Sequence, residues 1–384
     1  MRILLLNWRD KTDASYGGAE VVVEKLAFEL SKSCDVTLFT SRGSGSRMER
    51  RGSIEIIRRG SINTVYFKAA AYLARNRNKY DAVIESVSSV PFFSSLVFDK
   101  RRIFVLIPHL MGKNVFKAVN PLKALAAYIA ERMIPRLYKG AKFLVLSDFV
   151  RRQLIYAGIK PDSIYMIRGY SPSRARPSAD KSANPIIVSV GRLVRYKRND
   201  ILIRMFAEVH RTVPYAKLVI VGDGPERNKL ESLRSSLGLE DCIEFTGFVS
   251  EREKDRILSN AWVFTTASRI EGLGLSALEA EEKGLPVVAF GNGGLAEAVR
   301  NGYSGFLVKE GDEKAFIDAL CRLVGNGGRH LLKNMSAKAI RHAAYFGGRE
   351  EARDILKIVR DSLNVSEPQT RKPRKVGQVP RGAT

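Results

Sequence analysis

The sequence predicts an α/β protein in which two doubly wound, parallel β-sheets follow each other along the chain. Short apolar segments alternate with segments of helical period, which is typical of parallel sheets covered by helices. The alternation stops once, at residues 171–185, where three prolines lie in a segment without apolar periodicity. A length of 384 residues also exceeds what one hydrophobic core usually serves and suits two domains.

In the first half, the pattern predicts five strands and an opening helix. A continuous apolar strand at residues 2–7 precedes a helix at residues 18–31, where apolar residues recur at helical spacing. Residues 42–51 are rich in Gly, Ser and Arg and are predicted to be a polar loop. The other predicted strands are residues 35–40, 82–85, 102–107 and 143–147.

In the second half, the alternation restarts and ends in a helix at residues 350–362. The predicted strands are residues 186–190, 217–221, 243–246, 262–265, 286–289 and 305–308. The resulting division is an N-terminal domain (1–170), a linker (171–185), a second domain (186–347), a terminal helix expected to pack back on the first domain (348–365), and a basic disordered tail (366–384).

The composition is that of a globular protein with an unusual charge. Hydrophobic residues make up 45% of the chain, and its three cysteines form no C-x-x-C pair, which argues against a disulfide or zinc framework. The apolar stretch at the start of the chain is too short for a signal peptide, and no apolar stretch is long enough to span a bilayer. We therefore expect a cytoplasmic location, peripheral at the inner membrane face.

Most of the net charge of +24 lies in the first half, where residues 1–184 contain 32 Lys and Arg against 15 Asp and Glu. Nucleic acid, an anionic membrane surface or a phosphorylated substrate would each explain it, as would a generally basic proteome. Two basic amphipathic stretches, residues 66–79 and 118–142, fit either helices packed on a sheet or docking on anionic lipid. The sequence contains no recognisable DNA- or RNA-binding module, so no nucleic acid partner is expected.

Three segments of the second half have the composition of a ligand site. Gly191-Arg192-Leu193, with Lys197 shortly after, follows a strand and precedes a helix, where cations and backbone amides suit a diphosphate. Gly222-Asp223-Gly224 permits close backbone approach but lacks the third glycine of the dinucleotide fingerprint. From Glu271 to Glu279, two carboxylates flank a glycine-bearing loop that opens a helix. Each segment is also compatible with an ordinary turn bearing solvated charges.

These segments occur in an order that resembles the group 1 retaining glycosyltransferases, the group that includes glycogen synthase and the phosphatidylinositol mannosyltransferases. The resemblance rests on G-R-L…K, G-D-G-P-E-R, T-G-F-V, E-x7-E, G-L-P-V-V-A, G-G-L-A-E and N-G-Y-S-G-F-L-V between residues 191 and 308. In the first half, Gly17-Gly18-Ala19-Glu20 is similar to the family's G-G-x-E loop. The family's fold is GT-B, in which two Rossmann-like domains face a central cleft.

The resemblance also implies residue roles. Arg192 and Lys197 would hold the donor diphosphate, Glu271 would contact the transferred sugar, and His109 stands where many members carry an active-site histidine. Glu279 would hydrogen-bond the ribose. The remaining predicted donor-binding residues are Gly17, Gly18, Gly222, Gly224, Phe248, Val249, Gly272, Leu273, Gly274 and Leu275.

The predicted activity is therefore transfer of a hexose from a nucleotide-diphosphate sugar to a glycan or lipid-linked acceptor, or to an envelope polysaccharide, with retained anomeric configuration. No Asp-x-Asp occurs, so the enzyme is expected to need no metal and no cofactor, the nucleotide-sugar being a co-substrate. The alternatives are a sugar-nucleotide-binding protein without turnover and an epimerase of the same fold. The donor's base and sugar cannot be read from the sequence.

Overall fold

The first half forms an eight-stranded sheet. The computed structural model describes residues 1–13, 16–117, 120–167, 181–346 and 351–363. Its first sheet has the order β3-β4-β2-β1-β5-β6-β7-β8, parallel except for the β3–β4 pair. The strands are β1 (Arg2–Leu6), β2 (Asp35–Thr40), β3 (Met48–Arg51), β4 (Ile54–Arg58), β5 (Ala82–Ser86), β6 (Ile103–Ile107), β7 (Lys142–Val145) and β8 (Ile164–Met166).

Among the described residues, four α-helices lie in the connections between these strands, and apolar residues cover both faces of the sheet. They are α1 (Gly18–Leu30), α2 (Val65–Asn76), α3 (Pro121–Leu137) and α4 (Asp148–Tyr156). Because successive side chains of a strand point to opposite faces, Ile3 and Leu5 belong to one buried cluster and Leu4 and Leu6 to another. Strands buried on both faces explain the continuous apolar runs in the sequence.

The second half forms a parallel, six-stranded sheet of order β11-β10-β9-β12-β13-β14. Its strands are β9 (Ile186–Val190), β10 (Lys217–Val221), β11 (Ile243–Gly247), β12 (Val263–Thr266), β13 (Val287–Phe290) and β14 (Gly305–Val308). The helices are α5 (Asn199–Thr212), α6 (Arg227–Ser236), α7 (Glu251–Asn260), α8 (Leu275–Glu282), α9 (Leu295–Ala298), α10 (Glu313–Val324) and α11 (Gly328–Phe346).

The last helix, α12 (Glu351–Leu363), packs on the first half of the chain. Its Ile355, Leu356 and Val359 are buried in the same cluster as Leu26 and Leu30 of α1. Among the described residues, no helix has the length and apolar character needed to cross a bilayer.

The predicted fold class, two doubly wound α/β sheets in series, is confirmed. The predicted loop at residues 42–51 is wrong in part, because Met48–Arg51 forms an edge strand that pairs antiparallel with β4. That strand carries mostly charged residues and gives no apolar signal. The predicted linker lies mostly outside the described residues, and its last part contacts the second half, where Trp262 donates a hydrogen bond to the carbonyl of Ser182.

Candidate active site

Loops at the carboxyl ends of strands from both sheets meet in one place. Gly272, which follows β12, packs against the backbone of Pro108, which follows β6. A Cβ added at Gly17, after β1, would lie 3.8 Å from Cδ of Arg192, after β9. Ligands of doubly wound sheets bind at such carboxyl ends. The structure therefore forms a cleft in which Gly17 and the segment after β6 lie beside Arg192 and Gly272.

Lys197 and Glu271 form a close ion pair in this cleft. Nζ of Lys197 lies 2.5 Å from Oε1 of Glu271, and the two side chains are only 16% and 15% exposed. Burial by itself lowers the pKa of Lys197, but the Glu271 carboxylate and Tyr196 outweigh that effect and hold the pKa above its usual value. Lys197 is thus a fixed positive charge at neutral pH.

Arg192 adds a second cation beside Lys197. It is half-buried, and among the described residues its side chain forms no hydrogen bond or ion pair. A guanidinium with its donors uncommitted can bind a phosphate in bidentate fashion. By contrast, the neighbouring Arg198 is engaged by Glu310, with Nη1 at 2.8 Å from Oε1, and lies outside this pair.

The glycine loop after Glu271 is shaped by contacts that a side chain would block. A Cβ at Gly272 would lie 1.9 Å from the carbonyl oxygen of Pro108. Gly274 has a φ of +85° and forms the N-cap of α8. Leu273 is 5% exposed and packs in the apolar cluster of the first half, and Leu275 lies against Gly18. The backbone is therefore the part of Leu273 that could contact a donor.

His109 lies beside this loop. It is half-buried, and a Cβ added at Gly272 would lie 3.0 Å from the Cβ of His109. Burial lowers the pKa of His109, an effect that the Glu271 and Glu20 carboxylates offset only in part. The imidazole is therefore uncharged at neutral pH and can both donate and accept a hydrogen bond.

Glu279 lies on α8 and is paired with a residue that the sequence did not suggest. Its Oε2 is 3.0 Å from Nζ of Lys254 on α7, with both side chains about nine-tenths buried. Burial raises the pKa of Glu279, and the charge of Lys254 opposes that rise. No spacing in the sequence could have connected these two residues, because they lie on separate helices.

Gly222 and Gly224 pack tightly against the loop that carries Arg192. Cβ atoms there would lie 2.1 Å from the carbonyl oxygen of Gly191 and 2.4 Å from that of Leu193. The N–H of Gly222 donates to the carbonyl of Gly247, and the N–H of Gly224 donates to the side-chain carboxylate of Asp223. Chain packing alone explains these two glycines, and their contact with a donor stays a prediction.

Phe248 and Val249 lie in the segment after β11 and differ in burial. The Phe248 side chain is 67% exposed, whereas Val249 packs partly against the buried cluster that includes Val221 and Leu258. Their contact with a donor base also stays a prediction.

Two further carboxylates organise the cleft. Glu20 accepts hydrogen bonds from Trp8 and Arg9 and from the backbone N–H of Gly17, at 2.6, 3.1 and 2.9 Å. Glu20 belongs to the G-G-x-E segment, which could have singled it out. Glu297, in G-G-L-A-E, accepts from the backbone N–H groups of Asp148 and Phe149 at the start of α4. It thereby joins the two halves.

Within the part of the chain that the structure describes, no group of three or more His, Cys, Asp or Glu residues is arranged to hold a metal ion. The predicted metal independence remains a prediction.

Two family models match adjoining parts of the chain. The model of the group 1 glycosyl transferases matches residues 173–342, and that of glycosyltransferase family 4 matches residues 16–169. Among solved structures, sucrose-phosphate synthase from Thermosynechococcus elongatus is similar with a TM-score of 0.79 and 21% identity, over 95% of this chain and 100% of that chain. This likeness concerns the fold.

Two relatives of known name are similar in sequence. One is a GDP-mannose-dependent alpha-(1-6)-phosphatidylinositol monomannoside mannosyltransferase of Mycolicibacterium smegmatis, 34% identical over 47% of this chain and 52% of the relative. The other is a D-inositol 3-phosphate glycosyltransferase of Frankia alni, 34% identical over 50% of this chain and 49% of the relative. The chain thus spans about half the length of the relatives it matches. From the two family models and the two facing sheets, the chain belongs to the group 1 glycosyltransferases with the GT-B fold.

Proposed function

We propose that the protein is a retaining glycosyltransferase that moves a hexose from a nucleotide-diphosphate sugar to an acceptor. The observation that carries the proposal is the cluster of Arg192, Lys197 and Glu271 opposite the Gly17 loop and His109. The names of the two relatives, which specify GDP-mannose for one and glycosyl transfer for both, support it.

The two cations, Arg192 and Lys197, would stabilise the leaving group. As the bond between the sugar and the diphosphate breaks, negative charge builds up on the departing phosphate oxygens. Arg192 and Lys197 lie in place before the reaction and would stabilise that charge without reorganisation. They perform the role that a divalent metal performs elsewhere, so we propose a metal-independent reaction.

Retention would follow from attack on the face that the leaving group vacates. Among the described residues, Glu271 is the carboxylate considered for a covalent double displacement, yet it is ion-paired with Lys197 at 2.5 Å and thereby weakened as a nucleophile. We assign it to holding Lys197 and the sugar hydroxyls. The uncharged His109 would hydrogen-bond the transferred sugar. Trapping a covalent glycosyl adduct on Glu271 would overturn this mechanism.

A thermal-shift titration with UDP, GDP, ADP and their hexose conjugates tests the donor site. We expect one nucleotide to raise the Tm, because a ligand that binds the native state stabilises it. The rise should be lost in Lys197→Ala and Glu279→Ala and retained in Lys229→Ala, an exposed lysine on α6. No rise with any nucleotide would contradict the assignment.

The acceptor is proposed to be lipid-linked or an envelope glycan, with the protein bound peripherally to an anionic membrane surface. The support comes from α3, whose Leu122, Leu125, Ile129 and Met133 are 42–80% exposed instead of buried. The basic residues Lys123, Arg132 and Arg136 are exposed on the same helix. An exposed apolar row flanked by cations suits the interface of an anionic bilayer.

A turnover assay separates transfer from the other two functions considered. A transferase releases one nucleoside diphosphate for each sugar that it transfers to the acceptor. A binding protein would be stabilised by the donor but would never cleave it to free nucleoside diphosphate. An epimerase would convert its nucleotide-sugar in the absence of any acceptor. Addition of a chelator should leave the transfer rate unchanged.

A further inference from the structure

A large basic cavity lies in the first half, apart from the residues assigned to the donor. It has a volume of about 810 Å³, within the range of small-molecule sites. Its lining contains no carboxylate. The residues that line it are Arg42, Arg47, Met48, Arg58, Arg59, Gly60, Lys68, Ala71, Tyr72, Arg75 and Asn76.

One of the six cations, Arg58, is already neutralised and forms the floor. Its side chain is fully buried, and Nη2 lies 2.6 Å from Asp10 and 2.7 Å from Glu49. Nη1 donates to the carbonyl of Ser46. Arg58 thus fixes the walls of the cavity, and four of its five N–H donors are committed within the protein.

The other five cations have no carboxylate partner. Across the described residues, Arg42, Arg47, Arg59, Lys68 and Arg75 form no ion pair. Like charges gathered around one space repel each other, and only a bound anion or salt relieves that repulsion. Guanidinium groups match phosphate oxygens in bidentate geometry.

The five cations come from different elements that converge on the space. Arg42 follows β2, Arg59 follows β4, and Arg47 precedes β3. Lys68 and Arg75 are seven residues apart on α2 and therefore lie on one face of that helix, on either side of Tyr72. The five side chains are exposed, and their convergence from two strand ends and a helix places them around one open pocket.

The cavity adjoins the cleft along the same edge of the first sheet. The carboxyl ends of β2 and β4 lie on the side where the Gly17 loop follows β1. Thr12 of that loop contacts the segment between β2 and β3, with its carbonyl accepting from the N–H of Ser44 at 3.3 Å. Asp10 of the same loop holds Arg58. A ligand in the cavity would thus lie beside the site of transfer.

We propose that this cavity binds a small ligand through phosphate groups, at a site separate from that of the donor diphosphate. The volume suits a phosphorylated small molecule or a headgroup and excludes a nucleic acid duplex. That the ligand is part of the acceptor rests on the proposed function, whereas phosphate binding does not. Such a phosphate has two sources, a water-soluble phosphate ester and a lipid headgroup.

Pyrophosphate is the probe, titrated calorimetrically into the full chain carrying Arg192→Gln, which weakens its competing binding at the proposed donor site. We expect Lys68→Gln/Arg75→Gln in that background to weaken binding about tenfold or more, since charge-assisted hydrogen bonds are lost. The matched control is Arg204→Gln/Arg211→Gln, two exposed arginines seven residues apart on α5. Equal affinity in the two double variants, or no binding by the Arg192→Gln chain, would overturn the proposal.

Two further experiments distinguish the two sources of the phosphate and test the phosphate site independently of the donor site. Displacement of pyrophosphate by phosphatidylcholine vesicles that contain phosphatidic acid would identify a lipid headgroup, and displacement by glycerol 3-phosphate alone a soluble ester. Nucleotide binding should survive Lys68→Gln/Arg75→Gln, with a Tm of the free protein no lower than that of the wild type. If no nucleotide binds while pyrophosphate still requires Lys68 and Arg75, the donor assignment fails and the phosphate cavity stands.

Discussion

At the scale of single residues, Gly272 connects the two halves through close backbone contact. The space for its missing side chain is filled by the carbonyl oxygen of Pro108, and Ser147 Oγ donates to the carbonyl of Gly272 at 2.5 Å. Glycine at this position thus allows loops of the two sheets to touch. The position of Glu271, one residue earlier, depends on that contact.

Gly272→Ala should therefore open the cleft. A Cβ 1.9 Å from a backbone oxygen cannot be accommodated without a backbone shift, and overpacking of this kind costs about 1–3 kcal/mol. We expect donor affinity to fall about tenfold and urea unfolding to show a loss of stability of about 1–3 kcal/mol. Gly291→Ala is the control, because its Cβ would lie 3.7 Å from that of Leu307, an ordinary contact. Similar affinities in both variants would refute this account of Gly272.

Glu85 predicts a pH dependence of stability. It is fully buried on β5, where burial raises its pKa to about 7 although Ser94 donates a hydrogen bond to it. Between the ordinary glutamate pKa and about 7, the unfolded chain loses this proton while the native protein keeps it. The contribution of Glu85 to the free energy of unfolding therefore falls as pH rises through this window and levels off above it.

Glu85→Gln should remove that dependence. We expect the variant to be more stable than the wild type above pH 7, by on the order of 1–3 kcal/mol, and to match it near pH 4. Urea unfolding across the pH range measures the difference. Glu244→Gln, at an exposed position of β11, should leave the profile unchanged. A parallel profile for Glu85→Gln and the wild type would mean that Glu85 is ionised in the native state.

What the sequence could reveal at this scale was limited to residues within motifs. Arg192, Lys197 and Glu271 stood out by residue type and position, and the structure places them together. Lys254, the partner of Glu279, lies on another helix and carries no local signal. The distinction between a glycine that faces a ligand and one that packs on a chain, as Gly222 does, requires three-dimensional contacts.

At the scale of elements, the start of α4 is held by a carboxylate from the other half. Glu297 accepts from the N–H groups of Asp148 and Phe149 at 2.7 and 2.6 Å, where the helix dipole also favours negative charge. Because α4 belongs to the first half and Glu297 to the second, this contact exists only while the halves are together.

Glu297→Gln should shift the protein toward an open arrangement. The amide keeps one acceptor oxygen but loses the charge and the second acceptor, which weakens charge-assisted bonds. We expect the KM for the donor to rise about threefold to tenfold with little change in kcat, and small-angle scattering to give a larger radius of gyration. Glu313→Gln, in the first turn of α10, is the control. An unchanged radius of gyration together with an unchanged KM would exclude a closing role for Glu297.

Elements were predicted where apolar runs are long and missed where pairing alone defines them. The strand β3 consists of Met, Glu and two Arg residues and exists through its antiparallel pairing with β4. Charged edge strands of this kind also protect a sheet from pairing with other chains. The strand β8 has only three residues. In contrast, β4 has an apolar signal in Ile54, Ile56 and Ile57 that could have been used.

At the scale of the whole molecule, the positive charge and the exposed apolar surface occur in the same half. The sequence predicted either a packed helix or a membrane-docking helix for residues 118–142. In the structure, α3 buries Ala124 and Ile134 but exposes Leu122, Leu125 and Ile129. Phe116, just before it, is 42% exposed as well. This arrangement favours the docking hypothesis, because the apolar row has no protein partner among the described residues.

Flotation with liposomes tests membrane docking. We expect the full chain to float with vesicles containing anionic phosphatidylglycerol and to remain at the bottom with phosphatidylcholine alone. Salt should weaken the binding, since it screens exposed charges over about 10 Å at 0.1 M. Leu122→Glu/Ile129→Glu should abolish flotation, because it removes apolar area that the bilayer would bury and adds negative charge next to an anionic surface.

The control for docking is Leu237→Glu, an exposed leucine at the end of α6 in the second half. It adds one negative charge, where the α3 double variant adds two, at a distance from α3, and it should leave flotation intact. Equal flotation with neutral and anionic vesicles would mean that membrane binding does not depend on the basic charge of the first half. Intact flotation of Leu122→Glu/Ile129→Glu would place the contact elsewhere, and the exposed row of α3 would then require a protein partner, because apolar surface of this extent is costly to leave in water.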